Sequence, residues 1–274
     1  MICIYCSSSY IVLNGHDNKG VQRYKCNDCH RRFCEKGIFV RHRFSKEIII
    51  NAIFLRSFPL STRNVKRILK KIEFVKVSHV SIYNWVVKFA PYLIKLSLIK
   101  PINFSSIWHV DEKFIHVKGS KDPHAYLWIV SDSNSNIIAI HVSFERDCNN
   151  AKIVLQKAKE ISGFSPEIII SDGLKGYKRA CKKVFGRKTR HVIAHFEAVG
   201  IVHNKKLMKL SNNRAERINE FPALWLHVCR GFKRLDRAIL FIEFFVINYN
   251  YLMEHPSKEK PKVEWEMVES IMRK

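Results

Sequence analysis

The sequence predicts a multidomain chain: a small ribbon, an all-α segment, and an α/β core on a mixed five-stranded sheet. Three observations predict it. Four cysteines fall in two C-x2-C pairs near the N-terminus, Cys3/Cys6 and Cys26/Cys29. Apolar residues then recur at helical spacing between Ser45 and Lys88. From Ile107 onward, three short apolar or alternating runs are followed by helical and extended patterns in turn. The expected units are residues 1–36, 40–98 and 103–254, with a charged tail at 255–274.

Bulk composition narrows the class. Hydrophobic residues make up 47% of the 274, enough for a packed core and against global disorder. Lys and Arg number 48 against 24 Asp and Glu, a formal charge of +24. Such an excess points to a polyanionic partner, of which nucleic acid is the usual one. A ribosome-associated or membrane-surface protein is the alternative. The start Met1-Ile2-Cys3-Ile4-Tyr5-Cys6 lacks the regions of a signal peptide. The most apolar run, Ala238 to Met253, is interrupted by Glu243, Asn248 and Asn250 and falls short of the ~20 residues of a membrane span. A cytoplasmic location without membrane attachment is expected, and there the eight cysteines should not be paired as disulfides.

The cysteine pairs are separated by 19 residues. Four thiolates in two knuckles suit tetrahedral Zn²⁺, with Cys3, Cys6, Cys26 and Cys29 as ligands. Val21 to Lys25 reads as a strand leading into the second knuckle. A unit this small cannot bury enough surface to fold unaided, so a structural zinc would be its core. A redox dithiol is the competing reading, and the two matched pairs speak against it. Cys34, Cys148, Cys181 and Cys229 have no such partners and read as core residues.

Ile48, Ile49, Ala52, Ile53 and Leu55 mark a first helix, ended by Pro59. Ser61-Thr62 offers an N-cap to a second, Val65 to Ile72, and Val77-Ser78-His79 opens a third. Two short helices joined by a tight turn resemble a helix-turn-helix, with Ser78, His79, Ser81 and Asn84 near a DNA groove and Trp85 in the core. A plain helical linker bundle is the alternative. Pro91 and Pro101 mark the boundary that follows.

Ile107 to Val117 alternates apolar and polar residues and reads as a strand, with Asp111 at its centre. A carboxylate buried there is expensive unless paired or metal-bound. Ala125–Val130 and Ile137–Val142 are two further strands of a meander. A helix over 151–161, a strand ending in Asp172, a helix over 174–184 and a short strand near His191 follow. This βββαβαβ order is that of a ribonuclease-H-like sheet, whose first and fourth strands lie side by side. Asp111 and Asp172 would then be neighbours. Residues 197–210 give no clear pattern, with His203 to Lys206 reading as an exposed basic loop. Asn212-Asn213 caps a helix carrying Glu216. Proline in a helix interior costs ~3 kcal/mol or more, so this helix is expected to kink or end at Pro222. Leu235 to Met253 forms the last helix.

Three acids on such a sheet suit two-metal phosphoryl transfer. Two Mg²⁺ or Mn²⁺ ions prefer hard oxygen ligands and act on attacking and leaving oxygens. Asp111 would bridge them, Asp172 would hold one and Glu216 the other. Each acid has a plainer reading: Asp172 before Gly173 as a turn residue, and Glu216 as a first-turn helix-dipole residue. Glu220 is a rival third ligand.

Several segments carry a family resemblance. They are Cys3 to Cys29, Trp108-His109-Val110-Asp111-Glu112, Ser171-Asp172-Gly173 with Tyr177, and Asn212-Asn213-Arg214-Ala215-Glu216-Arg217. Arg230-Gly231-Phe232-Lys233 and Asn248-Tyr249-Asn250 close the set. Together they resemble DDE transposases of prokaryotic insertion sequences, built from zinc ribbon, helix-turn-helix and integrase-like core. The resemblance covers nearly the whole chain. It implies binding to terminal inverted repeats, metal-dependent strand cleavage, and joining of 3′ hydroxyls to target DNA. It also implies a homo-oligomer on paired ends and a place at the prokaryotic nucleoid. Lys205, Lys206, Arg217, Arg230 and Lys233 are the further candidate DNA contacts. The chain departs from the family at Pro222 and in the 44-residue interval from Asp172 to Glu216, where an insertion near 197–203 is expected. A decayed copy acting as a DNA-binding regulator, or another ribonuclease-H-like nuclease, would share these features.

Overall fold

A computed structural model describes residues 2–253 apart from 4, 7, 19, 35–42, 95–100, 119–123, 195–197, 204–205 and 212. The charged tail, Lys205 and the Asn212 cap therefore lie outside the described residues. The first unit is a three-stranded antiparallel ribbon, β1 (Ile11–His16), β2 (Gln22–Cys26) and β3 (Arg32–Cys34), in the order β1-β2-β3. Among the described residues its buried cluster is Cys3, Cys26 and Phe33.

Three helices follow: α1 (Lys46–Ser57), α2 (Thr62–Ile72) and α3 (His79–Ile94). Each starts on a serine that satisfies an orphan first-turn N–H. Ser45 Oγ accepts from Ile48, Ser61 Oγ from Asn64 at 3.1 Å, and Ser78 Oγ from Ser81 at 2.9 Å. Pro91 lies inside α3, not at a boundary before the core. Phe89, Ala90 and Leu93 around it are buried, so packing holds the last turn helical where proline would favour a break.

The core contains β4 (Ile107–His116), β5 (His124–Asp132), β6 (Ile137–Ser143), α4 (Cys148–Ser162), β7 (Ile168–Ser171), α5 (Lys175–Phe185) and β8 (Arg190–Ile193). The sheet order is β6-β5-β4-β7-β8. β4, β5 and β6 pair antiparallel, while β4-β7 and β7-β8 pair parallel, giving the mixed five-stranded sheet. The first and fourth strands of the core are indeed adjacent.

Strand periodicity divides the sheet into two faces. Trp108, Val110, Trp128 and Val130 face α4 and α5, packing with Val154, Leu155, Ala158, Tyr177 and Phe185. Ile115, Leu127 and Ile129 lie in the other core, with α6 (Asn213–Cys229) and α7 (Leu235–Ile247). Ile53, Trp85 and Phe89 of α1 and α3 belong to that same core. The N-terminal helices are thus packed onto the sheet through α7 rather than standing apart from it.

Two elements differ from their sequence reading. Residues 199–210 form an antiparallel hairpin, β9 (Val199–His203) and β10 (Lys206–Leu210), where a basic loop is expected. Ile201 and Leu210 are buried with Ile168, Ile170 and Val192, so the hairpin covers the β7-β8 edge. The hairpin falls between Asp172 and Glu216. Second, α6 runs from Asn213 to Cys229 without ending at Pro222. Ile218 and Trp225, two turns apart, are both buried in the large core and anchor the helix on either side of the proline. The helix ends instead at Arg230 and Gly231, both with positive φ. A Cβ on Gly231 would lie 2.6 Å from His116 Cδ2, so only glycine fits. α7 runs on into a π-helical turn, Asn248–Leu252.

Candidate active site

Register brings the two aspartates together. Trp108 pairs with Ile169 and His109 with Ile170, and β7 ends at Ser171. Two residues further on, Asp111 and Asp172 stand where the parallel pair opens, at the carboxyl end of β7. β4 itself continues, paired with β5, with Asp111 opposite Ile129. Open ends of parallel strands are where α/β sheets place ligands.

Asp111 is half-buried, and its Oδ1 accepts the Glu112 backbone N–H at 3.0 Å. Asp172 has 35% of its side chain exposed, and its Oδ1 accepts the Leu174 N–H at 3.1 Å. That bond is an Asx turn leading into α5, assisted by Gly173 at φ 96°. The turn reading of Asp172 is therefore correct, and it is compatible with a site because only Oδ1 is used for it.

A third acid, which the sequence reading did not select, joins them. Oxygens of Asp111, Glu112 and Asp172 lie within 4.8 Å of one another, a group able to hold a metal ion. Glu112 is on the opposite strand face from Asp111, and its side chain is only 4% exposed. Its Oε1 accepts from Arg146 Nε at 2.6 Å and from Nη2, and its Oε2 accepts the Tyr177 hydroxyl. Arg146 Nη2 also lies 3.9 Å from Asp172 Oδ2. Burial, then the Glu112 charge, pushes the Tyr177 phenol well above its ordinary range, so it remains a donor. Desolvation pulls the Arg146 guanidinium down, and the hydrogen bonds and charge of Glu112, with Asp172 and Tyr177, outweigh it and raise the group above its ordinary value. The missed signal was Glu112's parity with Trp108 and Val110, which marks a buried carboxylate in need of a donor.

Glu216 falls in the first turn of α6, a helix packed on the sheet through Ile218 and Trp225. Its side chain lies outside the described residues, as does that of Lys206. Glu220 is exposed.

The ribbon gathers its four cysteines. Their sulfurs lie within 4.8 Å of one another, with Cys3–Cys29 at 3.6 Å and Cys6–Cys26 at 3.5 Å. A tetrahedron with Zn–S bonds of about 2.3 Å has edges of roughly 3.8 Å, so the spacing fits the ion. The Cys29 backbone N–H, against desolvation, leads in pulling the Cys26 thiol down to about 6, with help from Asp28 N–H and Cys6.

On α3, His79 and Asn84 are exposed and Ser81 half-buried, while Ser78 is occupied as the cap. Trp85 is in the core. Arg217, Arg230 and Lys233 are exposed.

A model of the DDE domain, of the IS240 transposase type, matches residues 105–251, more than half of the chain. A transposase for the insertion sequence-like element IS431mec of Staphylococcus aureus is 29% identical over 144 residues, 52% of this chain and 62% of the relative. The transposase of insertion sequence element IS257 in transposon Tn4003, from the same organism, aligns with the same identity and coverage. The chain thus spans less than two thirds of the length of these curated relatives. Among solved structures, a simian T-cell lymphotropic virus intasome chain is 17% identical with TM-score 0.40, covering 62% of this chain and 56% of that one. The HTLV-2 integrase catalytic core domain gives 14% and 0.38, covering 62% and 99%. On the family match over its sheet, acids and closing helices, this chain belongs to the DDE-domain family.

Proposed function

We propose that the protein is a transposase that binds the ends of an insertion sequence and catalyses metal-dependent DNA strand cleavage and strand transfer. The observation that carries this reading is the juxtaposition of Asp111 and Asp172 at the open end of β4 and β7 in a DDE-family chain of net charge +24. Hard carboxylate oxygens fit Mg²⁺ or Mn²⁺, and Asp111, Asp172 and Glu216 are the proposed ligands. Divalent ions held there supply charge neutralisation for the attacking and leaving oxygens of a phosphodiester. Glu112, engaged through both oxygens, holds Arg146 and Tyr177 in place beside the two aspartates. Arg146, 39% exposed on its side chain, offers a cation at the same mouth, where a phosphate would approach.

The ribbon is proposed to hold one structural Zn²⁺ through Cys3, Cys6, Cys26 and Cys29. DNA contacts are proposed for His79, Ser81 and Asn84 on α3, with Ser78 fixing the start of that helix. Arg217, Arg230, Lys233, Lys205 and Lys206 are proposed as phosphate contacts. The partners are element ends and target DNA, engaged by a homo-oligomer.

The test is strand cleavage and joining on labelled DNA carrying the element's terminal repeats, with Mg²⁺ or Mn²⁺, for wild type beside Asp111→Asn. Losing one metal-binding carboxylate removes several kcal/mol of transition-state stabilisation, a rate loss on the order of 10³-fold. End binding should persist. Collapse of binding in the variant, or equal joining by both proteins, would refute the catalytic assignment.

A further inference from the structure

Residues 175–190 carry eight Lys and Arg and no Asp or Glu. Five of the cations, Lys175, Lys178, Arg179, Lys182 and Lys183, lie on α5, and all five are exposed. The other face of the helix is buried through Tyr177, Ala180, Cys181, Val184 and Phe185. None of the five cations is ion-paired to an acid among the described residues. Lys175–Arg179, Lys178–Lys182 and Arg179–Lys183 are like-charge pairs at i,i+4, each unfavourable to the helix. The first turn has no acid and no side-chain cap, and Lys175 stands there against the positive end of the helix dipole. Only Lys182 and Lys183, in the last turn, suit it. A face turned only to water mixes charge signs. This one is held helical by packing against its own repulsion, which a polyanion would remove.

The helix also adjoins the acidic site. α5 begins three residues after Asp172, and its Tyr177 hydroxyl donates to Glu112 of the acidic group. The row of cations therefore starts at the acids and runs along the helix, with Arg187 and Lys188 exposed beyond its far end. From Lys175 to Lys183 the axis covers about 12 Å, the length of roughly three to four phosphates along one strand of a duplex. The face offers no amide side chain, and the one hydroxyl of the helix is engaged by Glu112. Lysine meets phosphate as a point charge, so this row suits a backbone without reading bases.

We propose that the outer face of α5, with Arg187 and Lys188, is a docking track for the phosphate backbone of duplex DNA of any sequence. The track delivers that DNA to the mouth between Asp111 and Asp172. Its destination rests on the reading of those acids as the reaction site; the docking itself rests on α5. It is separate from the contacts proposed for α3 and for Arg217, Arg230 and Lys233.

The test measures binding of the full chain to a duplex of arbitrary sequence without element ends, in EDTA, across a range of salt. Lys182→Gln should make the log–log slope shallower by about one unit, and Lys178→Gln combined with Lys182→Gln by about two. Lys157→Gln, at an exposed α4 position lining a groove with Glu243, controls for general charge loss and should keep the wild-type slope. Thermal unfolding reads the repulsion. The double variant should melt no lower than wild type, and up to about 1 °C higher, because a like-charge pair is gone. If the double variant does not fold, Arg187→Gln, beyond the helix, decides by its own loss of about one unit. Wild-type slopes in the folded α5 variants overturn the proposal, as does an equal loss in Lys157→Gln. So does a lowered melt in the double variant with the Arg187→Gln slope unchanged. The assay needs neither metal nor joining, so its failure is separable from that of strand transfer. Altered slopes without Asp111-dependent joining would sink the strand-transfer reading alone.

Discussion

At the residue scale, the acidic site is a mixture of readable and hidden parts. Asp111 stood out because a carboxylate in the middle of an apolar strand needs a reason. Asp172 stood out because it closes another apolar run. Glu112 and Arg146 are both in view in the sequence, yet nothing in their spacing says they meet, since they lie 34 positions apart with two strands between them. Their contact is a product of the fold: Arg146 lies in the connection between β6 and α4, and β5 separates β6 from β4 in the sheet. The pair makes a sharp prediction. Arg146→Gln leaves the 4%-exposed Glu112 side chain with Tyr177 as its remaining donor. A fully buried pair broken this way loses 3–5 kcal/mol; screening at the partly exposed arginine reduces that to about 2 kcal/mol. Denaturant melts should show this loss, partly restored by Arg146→Lys, and strand joining should fall with it. Wild-type stability in Arg146→Gln would mean that Glu112 is held by Tyr177 alone.

At the element scale, periodicity served well where one face is buried and failed where packing overrules local preference. β4 and β5 were legible because alternate residues face two different cores. The β9-β10 hairpin was not, because its paired strands bury only a few apolar residues between exposed ones. Pro91 and Pro222 misled for one reason: a helix pinned by buried residues on both sides tolerates a proline that an isolated helix would not. The last π-helical turn has a role that its sequence hints at but does not explain. Asn248 accepts from Ser57 Oγ at 3.0 Å and donates to the Ser57 carbonyl at 2.7 Å, gripping the end of α1. Asn250 accepts the Ile137 N–H at 3.0 Å and donates to the Ile137 carbonyl at 2.8 Å, gripping the start of β6. The two asparagines therefore join the end of α1 and the start of β6 to the last turn through three backbone groups and the Ser57 hydroxyl. Asn250→Ala strands a buried N–H and C=O together and should destabilise by about 2–4 kcal/mol. Urea unfolding would register this as a lower midpoint with unchanged slope. A change under 0.5 kcal/mol would show that water replaces the side chain there.

At the scale of the whole molecule, the described residues divide energetically in a way the expected boundaries did not show. The core that holds Ile53, Trp85 and Phe89 also holds Leu127, Trp225 and Phe241, so α1–α3 and the sheet share buried surface. The ribbon's cluster of Cys3, Cys26 and Phe33 is separate from it. On the proposal that the four thiolates hold zinc, a three-stranded unit with so little buried area would depend on that metal for folding, four-thiolate coordination replacing the missing apolar core. Zinc and the main fold should then be separable. Cys26→Ser should release zinc on elemental analysis and expose the β1–β3 amides to rapid hydrogen exchange. The main thermal transition, carried by the shared core, should move by less than about 2 °C, since a residue far from that core adds nothing to it. The same variant should retain Mg²⁺-dependent nicking of any DNA that reaches the acidic site, because β4 and β7 are intact. A large drop in the main transition would instead make the ribbon part of the central fold, with zinc stabilising the whole chain.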